Sequence, residues 1–471
     1  MKITHVCSEL SPLACTGGLG EAVAGLTKSL ARQGYSIEVI LPHYRLLNLN
    51  SSHLITDRQL NFVFRSNIGG IETDIEVKKF IYHNDIKLTL LKFPENLPVF
   101  DRDRIYGYDD DVERFLIFSS ATKEYLIQSG LPDIVHLHDW HTASLAAFLK
   151  EMNCKTIFTI HNFNYTGPCD TKILKRFGIY NTSDCNFQDN NSSISLLNTG
   201  LVCADRITTV SPTYAKDILS TIKESNLIKV SDKNILGITN GIDFEYWNPQ
   251  TDPFIKTRYS LKCLNIEDNF FKAKQTNREQ LSKKLGLTSS SKPLFGIVTR
   301  LTEQKGLSFI KEALFKTLEY GCQMVLMGSC SDSETENIFR DLKQKLETTG
   351  QISIELSYDI ALSHLIYAAS DIFLMPSLFE PCGLAQLIAM RYGTVPIVNK
   401  TGGLIDTVEA DVNGFIFEHS HGDFINSLKK AVHLRTTHPD SWKRLVREGM
   451  SRGSDWKIPA QQYSKLYDTL M

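Results

Sequence analysis

Residues 1–42 constrain the fold more than any other stretch of the chain. They read as a branched apolar run, "KITHVCS", then a glycine loop, then a helical segment with Ala22, Leu26, Leu30 and Ala31 at helical spacing. A stop at Gly34 and a second apolar run, "SIEVILP", follow. A strand that feeds a helix and then another strand buries its apolar faces best as a parallel pair with the helix laid across it. The rhythm restarts at "PLFGIVTRL" (293–301) and runs on through "CQMVLMG", "ISIEL", "DIFLMPS", "TVPIVN" and "NGFIF", with helical segments between. The fold class expected is therefore α/β, built as two doubly wound halves. A chain of 471 residues is long enough to give each half its own core.

Other segments fill this frame. Alternation in "TDIEVKKFIYHNDIKLTLLKF" around Asn84-Asp85 predicts a hairpin over about 60–93. Helices are expected at about 110–129, 142–150 and 459–470, and strands at "DIVHLHD", "TIFTIHN", "ADRITTVS" and "NILGITNGID". The polar stretch 181–193 reads as a loop. Residues 246–292 lack a strong period and hold two prolines, so they read as a linker and the entry to the second half.

Composition removes several function classes. With 51 basic and 53 acidic residues the chain has no basic stripe, and nucleic acid is not expected as a partner. Ten cysteines include no CxxC pair, which argues against a zinc site. Apolar surroundings at Cys7 and Cys203 suit reduced, buried thiols, and a cytoplasmic location is expected. No run approaches the ~20 apolar residues of a membrane helix, and the N-terminus lacks a signal-peptide pattern.

The candidate chemistry lies at strand ends. The phrase TGGL occurs twice, at 16–19 and 401–404. The first copy joins a strand end to a helix start, where unpaired amides and the helix dipole suit a phosphate or carboxyl group; a ligand-free turn is the plain alternative. "VHLHDWHTA" sets His136 and His138 on one strand face, followed by Asp139 and His141. That pattern fits either a metal or a cleft lining, with Asp139 capping the next helix and His138 packing as the structural alternative. "TIHNFNYTG" ends a strand with His161, Asn162 and Tyr165, and "TNGID" supplies Asn240. "FGIVTRLTEQKGL" places Arg300 and Lys305 beside a helix start, a strong anion site unless they are a solvated pair. "MPSLFEPCGLAQLIAM" places Glu380 at a strand-to-helix turn.

Together "SELSPLACTGGLGEA", "HLHDWHTA", "TIHNFNYTG", "TTVSPTY", "TNGIDFEYWNP", "RLTEQKGL", "PSLFEPCGLAQLIAMRYGT" and "KTGGLIDTV" resemble, in order, the bacterial glycogen synthases and plant starch synthases. The resemblance implies a GT-B architecture, two Rossmann-like domains facing across a cleft. Residues 1–245, rejoined by a helix at 458–471, would form the acceptor side, and 246–457 the donor side. It implies retaining transfer of glucose from a nucleotide-glucose to the non-reducing end of an α-1,4-glucan such as glycogen, with no cofactor and no metal. ADP-glucose is the first donor expected and UDP-glucose the second.

By the same resemblance Arg300 and Lys305 hold the diphosphate, with amides near Cys382, Gly383 and Leu384. Glu380 contacts the donor sugar, and His161 and Asp139 line the glucose pocket. Tyr358 stacks on the base. Cys15, Thr16, Gly17 and Gly18, with Thr401, Gly402 and Gly403, are donor loops. Glu9, Asn162, Tyr165 and Asn240 lie on the glucose or acceptor side. Two residues depart from the family pattern: Cys15 stands where lysine is usual, and Glu21 where aspartate is usual. The rivals are another sugar-nucleotide enzyme on the same fold and a glucan-binding protein without activity.

Overall fold

A computed structural model describes residues 1–47, 49, 54–56, 61–83, 85–179, 193–224, 234–260, 267–330 and 332–471. The chain forms two compact units, Met1–Gly241 with Trp456–Met471, and Ile242–Asp455. Among the described residues no helix is long and apolar enough to cross a membrane. Cys7 and Cys203 are buried, as expected; Cys185 and Cys263 lie outside the described residues.

The first unit opens with β1 (Lys2–Val6), α1 (Gly18–Arg32) and β2 (Ser36–Pro42), and β1 and β2 are parallel. The chain then adds β3 (Leu54–Thr56), β4 (Phe62–Ile68), β5 (Ile71–Tyr82) and β6 (Ile86–Lys92). The expected hairpin is β5–β6; of its turn, Asn84 lies outside the described residues. A second hairpin, β4–β5, closes at Gly69-Gly70, both at positive φ. Its signal was a Gly-Gly turn between two β-rich runs.

Next come α2 (Asp111–Ser129), β7 (Ile134–His138), α3 (Trp140–Leu149) and β8 (Lys155–Ile160). A small ribbon of β9 (Pro168–Asp170) and β10 (Ser193–Ser195) follows, then β11 (Arg206–Thr209) and β12 (Ile235–Gly237). Of the loop expected at 181–193, residues 181–192 lie outside the described residues. The sheet order is β12-β11-β8-β7-β1-β2-β6-β5-β3, with β4 on β5. The chain winds outward from β1 and then returns to its other side at β7. The strand order therefore reverses between β1 and β7, where an open parallel sheet leaves a crevice at its carboxyl edge.

Helix α1 buries Leu19, Ala22, Val23, Leu26 and Leu30 against this sheet. Gly25 interrupts that apolar series for a steric reason. A Cβ there would sit 1.9 Å from Trp456 Nε1, where the C-terminal helix Lys457–Asp468 docks. A mid-helix glycine costs about 1 kcal/mol against alanine, and this close packing offsets it.

The second unit holds β13 (Leu294–Leu301), β14 (Gln323–Cys330), β15 (Ile352–Glu355), β16 (Ile372–Met375), β17 (Val395–Asn399) and β18 (Phe415–Phe417). All are parallel, in the order β15-β14-β13-β16-β17-β18, so its order reverses between β13 and β16.

The linker reading of 246–292 is corrected here. Glu267–Leu285 is a helix of 19 residues. Its buried positions are Phe270, Ala273, Lys274, Asn277, Arg278 and Leu281, a helical stripe in which three members are polar. Hydrophobic periodicity cannot register such a face. Lys274 Nζ donates to Ala368 O, Tyr392 O and Thr394 Oγ1, each at 3.0 Å. Burial pulls that ammonium down to about 7, against the opposing pull of Asp371. Arg278 reaches Gln323 Oε1 at 2.7 Å and Asp371 at 3.3 Å. The preceding residues are fastened too: buried Asp252 accepts from His364 Nδ1 at 2.8 Å and from the Tyr392 hydroxyl.

Candidate active site

In the first unit the loop after β1 is held from beneath by Glu9. The carboxylate is buried, and four donors converge on it: Thr16 N (2.7 Å), Thr16 Oγ1 (2.9 Å), Gly17 N (3.1 Å) and Tyr106 Oη (2.9 Å). Tyr106 Oη also meets Ser8 Oγ at 2.7 Å, and its ring stacks on His141. Glu9, expected on the glucose or acceptor side, thus has both oxygens committed to the first TGGL loop. Tyr106 was not foreseen, and nothing in its local sequence marks it.

Gly17 and Gly18 start α1 without a side-chain cap, and a Cβ on Gly17 would meet nothing within 4 Å. The Cys15 thiol donates to Gly17 O at 3.2 Å. Cys15 is exposed by surface area, yet neighbouring atoms crowd its thiol, and this crowding with the charges of Glu9 and Glu21 holds its pKa above the usual thiol value. At neutral pH position 15 therefore carries no charge.

Asp139 follows β7 with φ at +58°, a left-handed conformation uncommon for a non-glycine residue and enriched at functional sites. It occupies the N-cap position of α3, yet its side chain makes no cap bond. Instead Oδ1 accepts His161 N at 2.6 Å and Asn162 N at 3.3 Å, pinning the loop after β8. The structural alternative, a plain helix cap, is thus replaced by a bond between two strand ends. Burial pushes the Asp139 pKa up to about 7, with the two amides opposing. Helix α3 begins at Trp140, earlier than the expected 142.

His161 is half-buried, and burial drives its pKa down to about 3, so its ring is neutral. Asn162 Oδ1 accepts Asn164 N at 3.0 Å. Tyr165 is exposed, and Asn240 is buried just past β12, with β11 between β12 and β8. Among the described residues no hydrogen bond joins either side chain to the Asp139–His161 group. His5, His136 and His138 bring ring nitrogens within 4.8 Å of one another, near enough to share an ion. Five of those six nitrogens are already in hydrogen bonds.

In the second unit the β13/β16 reversal gathers the cations. Arg300 is exposed at the end of β13, and its guanidinium makes no hydrogen bond or ion pair among the described residues. Lys305 closes a single turn, Glu303–Lys305, ahead of the helix Leu307–Glu319. Its Nζ lies 2.5 Å from Glu380 Oε2, which also accepts Ser377 Oγ at 2.9 Å. Both side chains are largely buried, at 14% and 9% exposure. Gly306 is required between them and the helix, because at φ +75° a Cβ would sit 2.2 Å from Pro376 O.

The second TGGL loop packs under the Glu380 turn. Gly403 N donates to Glu380 O at 3.0 Å. A Cβ on Gly402 would lie 2.1 Å from Glu380 O, and one on Gly403 would lie 2.5 Å from Cys382 Cα. Its glycines are therefore explained by backbone packing, whereas Gly17 of the first copy faces open space. Thr401 Oγ1 donates to Leu378 O at 3.3 Å. Gln386 Nε2 ties down Cys382 O and Gly383 O, just ahead of Leu384 and the helix Ala385–Arg391. Tyr358 is exposed, just before the helix Ile360–Ala369.

Comparison with known proteins adds to this geometry. Residues 2–230 match the family model of the starch synthase catalytic domain, and residues 277–448 that of glycosyl transferases group 1. The chain is 40% identical to the glycogen synthase of Chlamydia caviae, covering all of both chains. It is 36% identical to that of Chlamydia trachomatis serovar D, over 99% of this chain and 100% of the relative. The catalytic domain of starch synthase IV from Arabidopsis thaliana, solved bound to ADP and acarbose, matches with a TM-score of 0.91 at 34% identity, covering 100% of this chain and 99% of that one. Sucrose-phosphate synthase from Thermosynechococcus elongatus shares the fold, with a TM-score of 0.64 at 17% identity over 100% and 98% of the two chains.

Proposed function

The chain belongs to the glycogen and starch synthase family of GT-B glycosyltransferases, and from that membership we propose that it transfers glucose from ADP-glucose, with retention, to the non-reducing end of an α-1,4-glucan. The observation that carries the reading is the pairing of an unengaged Arg300 with Lys305 and Glu380 at the reversal of a parallel sheet, ahead of a helix N-terminus. Such a place suits a diphosphate. The ADP in the starch synthase IV structure supports adenine as the base.

In the reaction the bond from glucose C1 to the phosphate oxygen breaks, and a bond from C1 to the acceptor hydroxyl oxygen forms. Charge grows on the departing diphosphate, so Arg300 and Lys305 act most strongly in the transition state. Two carboxylates of the first unit, Glu9 and Asp139, already accept backbone amides. Attack on the face the diphosphate leaves, with a phosphate oxygen taking the acceptor's proton, is the course the family resemblance favours over a covalent glycosyl intermediate on a carboxylate. Neutral His161, held by Asp139, presents hydrogen-bonding nitrogen to the glucose.

The test is glucose transfer to glycogen with ADP-glucose and UDP-glucose side by side. Transfer from ADP-glucose in excess of UDP-glucose supports the proposal. A folded protein that uses neither donor overturns it, and one that prefers UDP-glucose overturns the choice of nucleotide.

Two variants probe the first unit. Cys15→Lys places an ammonium beside Glu9 and Glu21, where the thiol is neutral. It is expected to tighten donor binding by about 0.5–1.5 kcal/mol. Unchanged kinetic constants for both donors would make position 15 a bystander. Asp139 supplies a pH dependence. Its carboxyl is protonated below about 7 and ionised above it, and the ionised form stabilises the positive charge that develops on the sugar. Turnover should therefore rise as pH increases through 7, and Asp139→Asn should flatten that rise in a pH–rate profile.

A further inference from the structure

Four imidazoles gather on one side of the first unit's sheet. His5 of β1 lies opposite His136 of β7 in register, and His136 and His138, two residues apart, share a strand face. His161 follows β8. Ring centroids are 4.4 Å apart for His136–His138, and 5.3 Å apart for both His5–His138 and His138–His161. Three of the rings form a chain of hydrogen bonds: His5 Nδ1 to His138 Nε2 at 3.0 Å, and His138 Nδ1 to His161 Nε2 at 3.0 Å. His136 stands beside it, bonded to the Tyr467 hydroxyl at 2.8 Å and to Thr159 Oγ1 at 2.6 Å. Burial keeps all four rings neutral.

A neutral imidazole has one N–H and one lone pair. Each link of the chain needs one of each, so only two proton patterns satisfy both links. In the first, every proton is on Nδ1: His5 donates to His138, and His138 to His161. In the second, every proton is on Nε2 and the donation runs the other way. The two differ at the buried end. His5 is fully buried, and its Nε2 has no hydrogen-bond partner among the described residues. The first pattern leaves a lone pair there; the second leaves an N–H. Buried N–H groups without an acceptor are the rarer outcome.

We infer that His138, whose buried chain with His5 cannot end on an orphan N–H, is a positioning residue that fixes the proton of His161 on Nδ1. That nitrogen makes no hydrogen bond among the described residues, and His161 is half-buried. The chain thereby makes His161 Nδ1 a donor aimed at a ligand oxygen rather than an acceptor for a ligand hydroxyl proton. Only the identity of that oxygen, a glucose hydroxyl, rests on the proposed function.

The experiment labels the histidines of the full-length protein with nitrogen-15 and records long-range proton–nitrogen correlations at pH 7, with His161 assigned from a His161→Asn spectrum. An Nδ1–H pattern for His161 is expected; an Nε2–H pattern overturns the inference. In His138→Phe an aromatic ring remains, but both nitrogens go, and with them the bond to His161 Nε2. His161 should then lose its single tautomer, and kcat should fall about tenfold with donor KM little changed, the scale of one neutral hydrogen bond. A folded His138→Phe protein with an unaltered His161 pattern overturns the role of His138. If that variant does not fold, the wild-type spectrum still decides. The spectrum is independent of turnover, so an Nδ1–H His161 in a protein without transferase activity would sink the proposed function and leave the relay intact.

Discussion

Arg300→Ala is expected to lower turnover by roughly 10²–10³, the scale of losing one charge-stabilising donor, and to leave the unfolding transition where it was. The side chain is exposed and makes no ion pair among the described residues, so the fold does not depend on it. Lys305→Ala should cost a similar factor in turnover and also stability. Glu380 would keep its buried charge with, among the described residues, only the Ser377 hydroxyl as partner, a loss of about 1–3 kcal/mol. Adding Glu380→Gln to Lys305→Ala should return most of that stability without restoring turnover. Kinetics with the preferred donor and denaturant unfolding separate the two effects. Near-normal turnover in both single variants would remove this pair from the mechanism.

Arg114→Met is expected to destabilise the protein by about 3–5 kcal/mol, the scale of removing one partner from a buried ion pair. Arg114 is fully buried in α2. Its Nε donates to Asp111 Oδ1 at 2.8 Å and its Nη1 to Val99 O at 3.2 Å, and Nη2 bonds Ile105 O. The guanidinium also lies over the rings of Phe100, Phe115 and Tyr108. Denaturant unfolding measures the loss, and a shift under 1 kcal/mol would contradict this account. Because Ile105 adjoins Tyr106, which bonds Glu9, the same variant should loosen the first TGGL loop and weaken donor binding.

These two arginines show what could be read without coordinates. Arg300 announced itself because a strand end followed by a helix start has few uses for a cation other than an anion. Arg114 did not, because an arginine within "DVERFLIFSS" reads as the wet side of an amphipathic helix. The α/β class and the strands followed from apolar runs of the right length, and so did most helices. The helix Glu267–Leu285 was missed because its inward face is half polar, with Lys274, Asn277 and Arg278 satisfied by partners far away in sequence. The tie from Asp139 to His161 and Asn162, and the clamp of Tyr106 on Glu9, join residues distant in sequence, and no local pattern records them. The two TGGL copies looked alike as text. Only their surroundings separate a glycine with free space around it from glycines pressed onto a neighbouring turn.

The docking of Trp456 over Gly25 bears on the order in which the protein is made. The first unit includes Trp456–Met471, which leave the ribosome after all of Ile242–Asp455. While the second unit is being synthesised, α1 lacks the indole that covers Gly25, and His136 lacks the Tyr467 hydroxyl. The earlier-made unit is thus the later to be finished. It carries an uncovered helix face through most of translation and closes only when the last segment returns to it, the situation in which large proteins are most open to misassembly.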